Sequence, residues 1–455
     1  MASAPTVTAS TSGQSLRRLA SFAVVFLVVA VALLAALAPR LVPDTLAGRD
    51  AGTLAAAVVF AGSYLALAIG KIPFLAIDRA GVALVGACLM VVAGALPLEN
   101  AYRAVDLDTL TLLLGMMIVV ANLRLSGFFA VATVWVMRRA HRPLLLLVAV
   151  VAVAGVFSAF LVNDAICLVL SPLVLDLTIA LRRRPAPYLL ALAMASNVGS
   201  TATITGNPQN IMIGSFSHIP YTQFATALTP VALAGLVLTV ALIALVHRGE
   251  FFGGGTPFAA KLPRVRANRF LIARALAATV VMVGLFFAGQ PPAKAAIIIG
   301  ALLLLTRRVR SERVYAEIDW SLLLMFAGLF IVVAGAQHAL LTPAAVEAVG
   351  RLHLDRVPVL SFVTAVLSNI VSNVPAVLVL KPFVAALHDP AQAWLTVAMA
   401  STLAGNFTVL GSIANLIVVQ RAASRGVAIG FWDYFAVGAP LTLLTIALGT
   451  LWLMR

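Results

Sequence analysis

SNVGSTATITGNPQNIMI, Ser196 to Ile213, sits inside an apolar segment running from Tyr188 to Phe216, yet its middle consists of Gly, Ser, Thr, Asn and Pro. A continuous helix is disfavoured there. Pro208 has no backbone N–H to donate, and Gly199 and Gly206 lower helix stability, so carbonyls and amides are freed halfway along a segment long enough to span a membrane. Lipid offers such groups no partner, which restricts unwound backbone at that depth to places buried in protein or lining a polar cavity. The stretch therefore reads as a helix broken around a ligand. A kink repaired by neighbouring helices is the plainer alternative, and it loses ground because the pattern occurs twice. AMAS at Ala193–Ser196 returns at Ala398–Ser401, and the residues that follow, TLAGNFTVLGSIANLIV, place Gly411 on Gly206, Thr408 on Thr203 and Asn415 on Asn210. Paired interruptions at corresponding positions of two halves point to a transporter's binding site.

Hydrophobic residues make up 62% of the 455 and charged residues only 10%, which sets soluble globular classes aside and leaves a multi-pass membrane protein. The net charge of +15 invites a nucleic-acid reading. The basic residues, however, fall in short loops between apolar runs, where they set membrane orientation, and no nucleic-acid partner is expected. Cys88 and Cys167 lie in apolar surroundings, so neither a disulfide framework nor a CxxC metal site is expected.

Residues 1–16 are rich in Ser, Thr and Ala and read as a disordered tail. Residues 17–51 hold an uncleaved first span, about 20 residues from Leu19 to Ala38, and a linker. Further spans are expected near 52–70, 79–97 and 107–123, then, after a basic loop, an interrupted segment at 143–180, a broken helix at 188–216 and a span near 228–246. A cytoplasmic loop, 247–270, separates this first repeat, 52–246, from a second, 271–455. The second holds spans near 271–288, 294–306 and 320–337, an interrupted segment at 358–387, a broken helix at 394–419 and a last span near 435–453.

Arg138, Arg139 and Arg142 precede 143–180 while Arg182, Arg183 and Arg184 follow it, and positive charge favours the cytoplasmic side at both ends. The segment is therefore expected to be a re-entrant hairpin, interrupted at Asn163-Asp164. A second hairpin, 358–387, is interrupted at Ser372-Asn373 and opens outward. The expected fold is an all-α polytopic membrane protein with about 11 transmembrane helices plus two re-entrant hairpins. It belongs in the cell (inner or plasma) membrane with the N-terminus cytoplasmic. An odd number of crossings in each half makes the halves inverted repeats, the usual basis of alternating access. The hairpins repeat as well: FSAFLVNDAICLVLSP at Phe157–Pro172 aligns with LSNIVSNVPAVLVLKP at Leu367–Pro382, with Ser158 on Ser368 and Asn163 on Asn373. Asp106 with Gly115 likewise matches Asp319 with Gly328.

Each break offers two kinds of ligand. Freed carbonyls and Ser, Thr and Asn oxygens suit a hard cation such as Na⁺, whereas half-helix N-termini present N–H groups and positive dipole ends to an anion or a hydroxyl-rich solute. The candidates in the first half are Asn163, Ser196, Asn197, Thr201, Thr203 and Asn210, with Gly206 at the break. In the second they are Ser372, Asn373, Ser401, Thr402, Asn406, Thr408 and Asn415, with Gly411 at the break. A Na⁺ ion would be held at these same residues. For any one Ser or Thr, a bond to its own helix backbone competes with this role. Asp164 is the acidic residue nearest the expected midplane, where carboxylates mark ion or proton pathways; capping the second hairpin helix is its plainer role. Lys381 lies about 12 Å up its helix from the tip and is expected to snorkel outward.

At the tips VND and VSN, and at the paired breaks SNVGSTATITGNPQN and GNFTVLGSIAN, the chain resembles the ion transporter superfamily. That superfamily takes in arsenite permeases, sodium/proton antiporters and sodium-coupled dicarboxylate or sulfate symporters. The resemblance runs from about residue 52 to the C-terminus. It implies a scaffold of outer spans and a mobile transport unit in which each hairpin tip meets a broken helix. The dicarboxylate branch carries SNT at both tips; Val162-Asn163-Asp164 and Ser372-Asn373-Val374 are closer to the arsenite permease and antiporter branches.

The expected function is secondary active transport of a small anion or oxyanion-like solute by alternating access, with H⁺ or Na⁺ as coupling ion and no other cofactor. Sodium/proton antiport is the first alternative, and sodium-coupled dicarboxylate or sulfate symport the second. An intramembrane hydrolase would need a nucleophile with its base, paired aspartates or a HExxH-like site at membrane depth, and none is present. No GxxxxGK[ST] loop is present either, so nucleotide energy would have to come from a separate ATPase subunit. The other partners expected are the lipid bilayer, the solute and, in a homodimer, a second copy of the chain.

Overall fold

Proline opens several of the described helices. Pro143, Pro185, Pro208, Pro292 and Pro390 each stand in the first turn of a helix, where the missing N–H costs nothing. The computed structural model describes residues 46–69, 77–139, 142–252, 267–306, 308–342 and 351–455; the expected tail 1–16 and first span at 19–38 lie outside them. Every regular element among the described residues is helical.

The first half contains α1 (Leu46–Ile69), α2 (Arg79–Val92), α3 (Leu98–Ala104), α4 (Leu107–Ser126), α5 (Phe128–Arg139), α6 (Pro143–Phe160), α7 (Asn163–Ala180), α8 (Pro185–Ser200), α9 (Pro208–Ser217), α10 (Tyr221–Val246) and the short α11 (Arg248–Phe251). The second contains α12 (Arg269–Phe287), α13 (Pro292–Leu304), the short α14 (Ser311–Tyr315), α15 (Trp320–Leu340), α16 (Val357–Val371), α17 (Asn373–Ala385), α18 (Pro390–Ala404), α19 (Ile413–Ala423) and α20 (Phe431–Leu453).

Among the described residues, seven helices, α4, α6, α7, α10, α12, α15 and α20, are long and apolar enough to cross a membrane. Other expected spans are shorter: α2 has 14 residues and α13 has 13. The broken helices divide into pieces of 16 and 10 residues and of 15 and 11 residues. The segment read as a basic loop before the first hairpin instead contains α5. Its sequence, FFAVATVWVMRR, follows Gly127 at φ +84°, a turn that separates it from α4.

Both helical hairpins form; the first turns two residues earlier than expected and the second within the expected pair. The first reverses at Leu161-Val162, and Asn163 already begins α7. The second reverses at Ser372 alone, held at φ +78° and ψ +160°. A non-glycine residue there costs about 1–3 kcal/mol and persists only when its surroundings impose it. The arms of the first hairpin have 18 residues each, against 15 and 13 in the second.

The described helices fall into two compact units. One contains α1, α2, α3 and α15; within it α15 lies along α2, and a Cβ on Gly328 would come 2.6 Å from the Ala83 carbonyl carbon. The other contains the remaining helices, and there α4 lies along α13 with a Cβ on Gly115 only 2.5 Å from the Ala296 carbonyl carbon. Gly115 aligns with Gly328, and Ala83 stands to Ala296 in the same register. The same close approach is thus made twice, each time between a helix of one half and a helix of the other.

Candidate substrate and ion site

The two breaks are one construction built twice, and all of it lies in the larger unit. After α8 the chain passes through a single 3₁₀ turn, Ile204–Gly206, and an extended Asn207 before α9 starts; after α18 it passes through Val409–Gly411 and an extended Ser412 before α19. Carbonyls freed by unwinding must find donors. Asn210 Nδ2 donates to the carbonyls of Ser200 at 3.1 Å and Thr203 at 3.0 Å. Asn415 Nδ2 donates to those of Gly405 at 2.7 Å and Thr408 at 3.2 Å, residue for residue the same arrangement. Asn207, just before Pro208, caps α9 by accepting the Asn210 N–H at 2.9 Å. The freed carbonyls expected as cation ligands are therefore partnered by the asparagine that follows each break.

The halves interlock at the aligned pair Asn197 and Thr402. Asn197 Nδ2 donates to Asn406 Oδ1 at 2.9 Å and Asn415 Oδ1 at 3.0 Å, while its Oδ1 accepts from Asn163 Nδ2 at 3.0 Å and Ser412 Oγ at 3.1 Å. Thr402 Oγ1 accepts from Asn207 Nδ2 at 3.1 Å and Gln209 Nε2 at 3.2 Å and lies 3.4 Å from Asn210 Oδ1. Each helix end before a break thus grips the break of the other half. Asn406 Nδ2 adds a bond to the Met194 carbonyl at 3.3 Å.

The hairpin tips join the same network. Ser196 Oγ lies 2.9 Å from Ser158 Oγ and 3.3 Å from the Asn163 carbonyl, and Thr203 Oγ1 donates to the Ala159 carbonyl. In the second half Ser368 Oγ lies 2.6 Å from Asn373 Oδ1 and 3.2 Å from the Ser401 carbonyl. Asn163 is 3% exposed, yet its Oδ1 has no hydrogen-bond partner among the described residues. A buried acceptor in that condition costs about 1–3 kcal/mol, so it marks where a ligand would be welcome.

Of the candidate residues, Asn163, Ser196, Asn197, Thr203, Asn210, Asn373, Thr402, Asn406 and Asn415 are buried and joined through side chains. Thr201 and Ser401 bond back to the Asn197 and Ala398 carbonyls of their own helices. Thr408 contributes its carbonyl, Ser372 the hairpin turn, and Gly206 and Gly411 the room for close backbone approach. Asp164 is half-buried in the first turn of α7, where the helix dipole favours negative charge, and Cys167 is buried one turn on. The Lys381 amine lies 3.8 Å from the centre of the Phe216 ring, a cation–π contact.

Asn207, Gln209 and Ser412 belong to the network without having been among the candidates. The Asn207-Pro208 pair was a readable signal, since Asn at an N-cap followed by Pro is a helix-start signature. Nothing local to Gln209 signalled its partner across the halves. Among the described residues no three His, Cys, Asp or Glu side chains converge as a metal site.

Known proteins are similar over most of the chain. The sequence pattern of the citrate transporter family, CitMHS, matches residues 64–404. A silicon efflux transporter of Oryza sativa subsp. japonica is 30% identical over 464 residues, covering 86% of this chain and 96% of the relative. The transporter arsB of Dictyostelium discoideum is 23% identical over 491 residues, covering 82% and 87%. The crystal structure of the Alcanivorax borkumensis YdaH transporter, described as having an unusual topology, shares the fold at a TM-score of 0.52 and 17% identity, over 88% of this chain and 97% of that one. With two broken helices interlocked at buried asparagines inside an all-helical, strongly apolar chain, and with that match over residues 64–404, this protein belongs to the citrate transporter family of membrane transporters, within the ion transporter superfamily.

Proposed function

We propose that the chain is a secondary active transporter that moves a small oxyacid or oxyanion by alternating access, using a proton or Na⁺ gradient. The buried, unpartnered Asn163 Oδ1 carries the reading, because it stands where the first hairpin tip meets Asn197 and, through Asn197, the second break. Inverted repeats supply the alternation: the same hairpin and break, built in opposite orientation, form equivalent doors on opposite sides.

The hydrogen bonds that join the two breaks among the described residues run between amides, hydroxyls and carbonyls. A tricarboxylate would lose its hydration there with only a coupling cation to offset its charge. An uncharged oxyacid, of the kind suggested by the silicon efflux relative, loses much less. Proteoliposomes with imposed H⁺ or Na⁺ gradients, offered silicic acid, arsenite, sulfate, phosphate, citrate and succinate, test the reading. Gradient-driven accumulation of silicic acid or arsenite is expected, and accumulation of citrate or succinate alone would reject it.

Asp164 is the proposed coupling group. A fixed negative charge beside the junction repels an anionic solute unless a cation, a proton or a neutral solute accompanies it. Asp164→Asn keeps the shape and removes the charge. Accumulation against a gradient should fall to background while membrane insertion and passive exchange persist. An Asn variant that still concentrates solute with unchanged pH and Na⁺ dependence would reduce Asp164 to a helix cap.

The re-entrant course of the first hairpin is testable separately, because its 18-residue arms, about 27 Å each, are also long enough to cross. Cysteines placed at Arg142 and Arg182 should both react with an impermeant maleimide from the cytoplasmic side only. Reaction of either from outside rules the hairpin out.

A further inference from the structure

A cavity of about 400 Å³ opens beside the first break, away from the interlocked asparagines. Its wall includes Ile204, Ile211 and Gly214 of the broken helix itself together with the buried Tyr221, while Asp108, His218 and Lys294 on it are exposed. In the orientation expected from the basic residues, this end of the helices faces outward.

A row of hydroxyls leads inward from it. Tyr221 Oη lies 2.9 Å from Thr205 Oγ1, Thr205 Oγ1 lies 3.3 Å from Thr203 Oγ1, and Thr203 Oγ1 donates to the Ala159 carbonyl in the first hairpin. A carbonyl can only accept, and each hydroxyl has one proton. Thr203 uses its proton on Ala159, so Thr205 donates to Thr203 and Tyr221 donates to Thr205. The direction of the row is thereby set, and Tyr221, a buried residue of the cavity wall, has only Oη lone pairs left to offer a further partner.

We propose that this cavity is a docking site for an uncharged solute rich in hydrogen-bond-donating hydroxyls, which it receives before the solute reaches the break. The proposal rests on the transporter reading for the fate of the solute, though not for its binding. A protonated hydroxyl facing Tyr221 gains a bond, whereas an anionic oxygen there meets lone pairs across a short gap. The exposed Asp108 and Lys294 carry opposite charges on the cavity wall, so the cavity favours neither sign of ion.

The test uses a Cys88→Ser, Ser215→Cys protein in proteoliposomes, since Ser215 lines the cavity and Cys88 is exposed. Silicic acid should slow maleimide labelling at position 215, and sulfate should not. Tyr221→Phe removes the acceptor and keeps the ring; it should weaken protection by silicic acid about 3- to 10-fold, the worth of one hydrogen bond. The transport KM should rise by the same factor with Vmax retained. Thr205→Val frees the Tyr221 proton, so sulfate should begin to protect. Undiminished protection by silicic acid in Tyr221→Phe, or protection of the parent by sulfate, overturns the proposal. Protection without silicic acid transport sinks the functional reading and leaves the docking site; transport without protection does the reverse.

Discussion

Asn197→Leu is expected to abolish transport and to lower the unfolding temperature of the purified protein more than any other single substitution at the junction. Asn197 makes four hydrogen bonds, to Asn163, Asn406, Ser412 and Asn415, and is 1% exposed. Leu is close to it in size, so the cost is not a cavity; it is four buried polar groups left without a partner. Each such group costs about 1–3 kcal/mol, and with some repair among themselves roughly 3–6 kcal/mol is expected in total. Asn197→Thr is the informative control, because Thr402 fills the aligned position and one hydroxyl satisfies three neighbours there. It should retain folded protein and a fraction of activity. Thermal unfolding in detergent, read beside uptake in vesicles, checks both; an Asn197→Leu protein as stable as the parent would show that the interlock holds nothing together.

The second large effect is expected at Gly206. A Cβ there would stand 2.1 Å from the Ser200 carbonyl oxygen, well inside van der Waals contact, and the obstacle is backbone that cannot rotate away. The close approach exists because Asn210 ties the Ser200 and Thr203 carbonyls together across the break. Gly206→Ala must therefore open that turn and lose at least one of those bonds, and the yield of monodisperse protein should fall severely. Gly411, its counterpart, would place a Cβ 2.7 Å from the Gly405 carbonyl oxygen. Gly411→Ala should be the milder lesion, recoverable as folded protein with reduced uptake. Size-exclusion profiles of the two variants decide the order, and equal behaviour would remove the geometric explanation.

The breaks were legible because helix disruption is local: Gly206 and Pro208 act through their own backbone, and so does Gly411. The repeats were legible because AMAS and the matching Gly, Thr and Asn positions recur in order. The second hairpin turn was placed at Ser372-Asn373 and falls on Ser372, whereas the first was placed two residues late, at Asn163-Asp164, since the apolar Leu161-Val162 carries no turn chemistry of its own. Helix α5 was missed because its apolar run is short and ends in the Arg pair read as loop.

By itself the sequence determined that the chain is an all-helical membrane protein with two related halves, and where each half comes apart, because apolar length and helix-breaking residues act over a few neighbouring positions. Only the tertiary structure decided what those places do. Asn210 and Asn415 close their own breaks, Asn197 and Thr402 grip the opposite ones, and the Thr203 hydroxyl sets the polarity of Tyr221 through Thr205. An asparagine can donate to a carbonyl or an amide and accept from either, and which partner it meets is set by packing between segments distant in the chain.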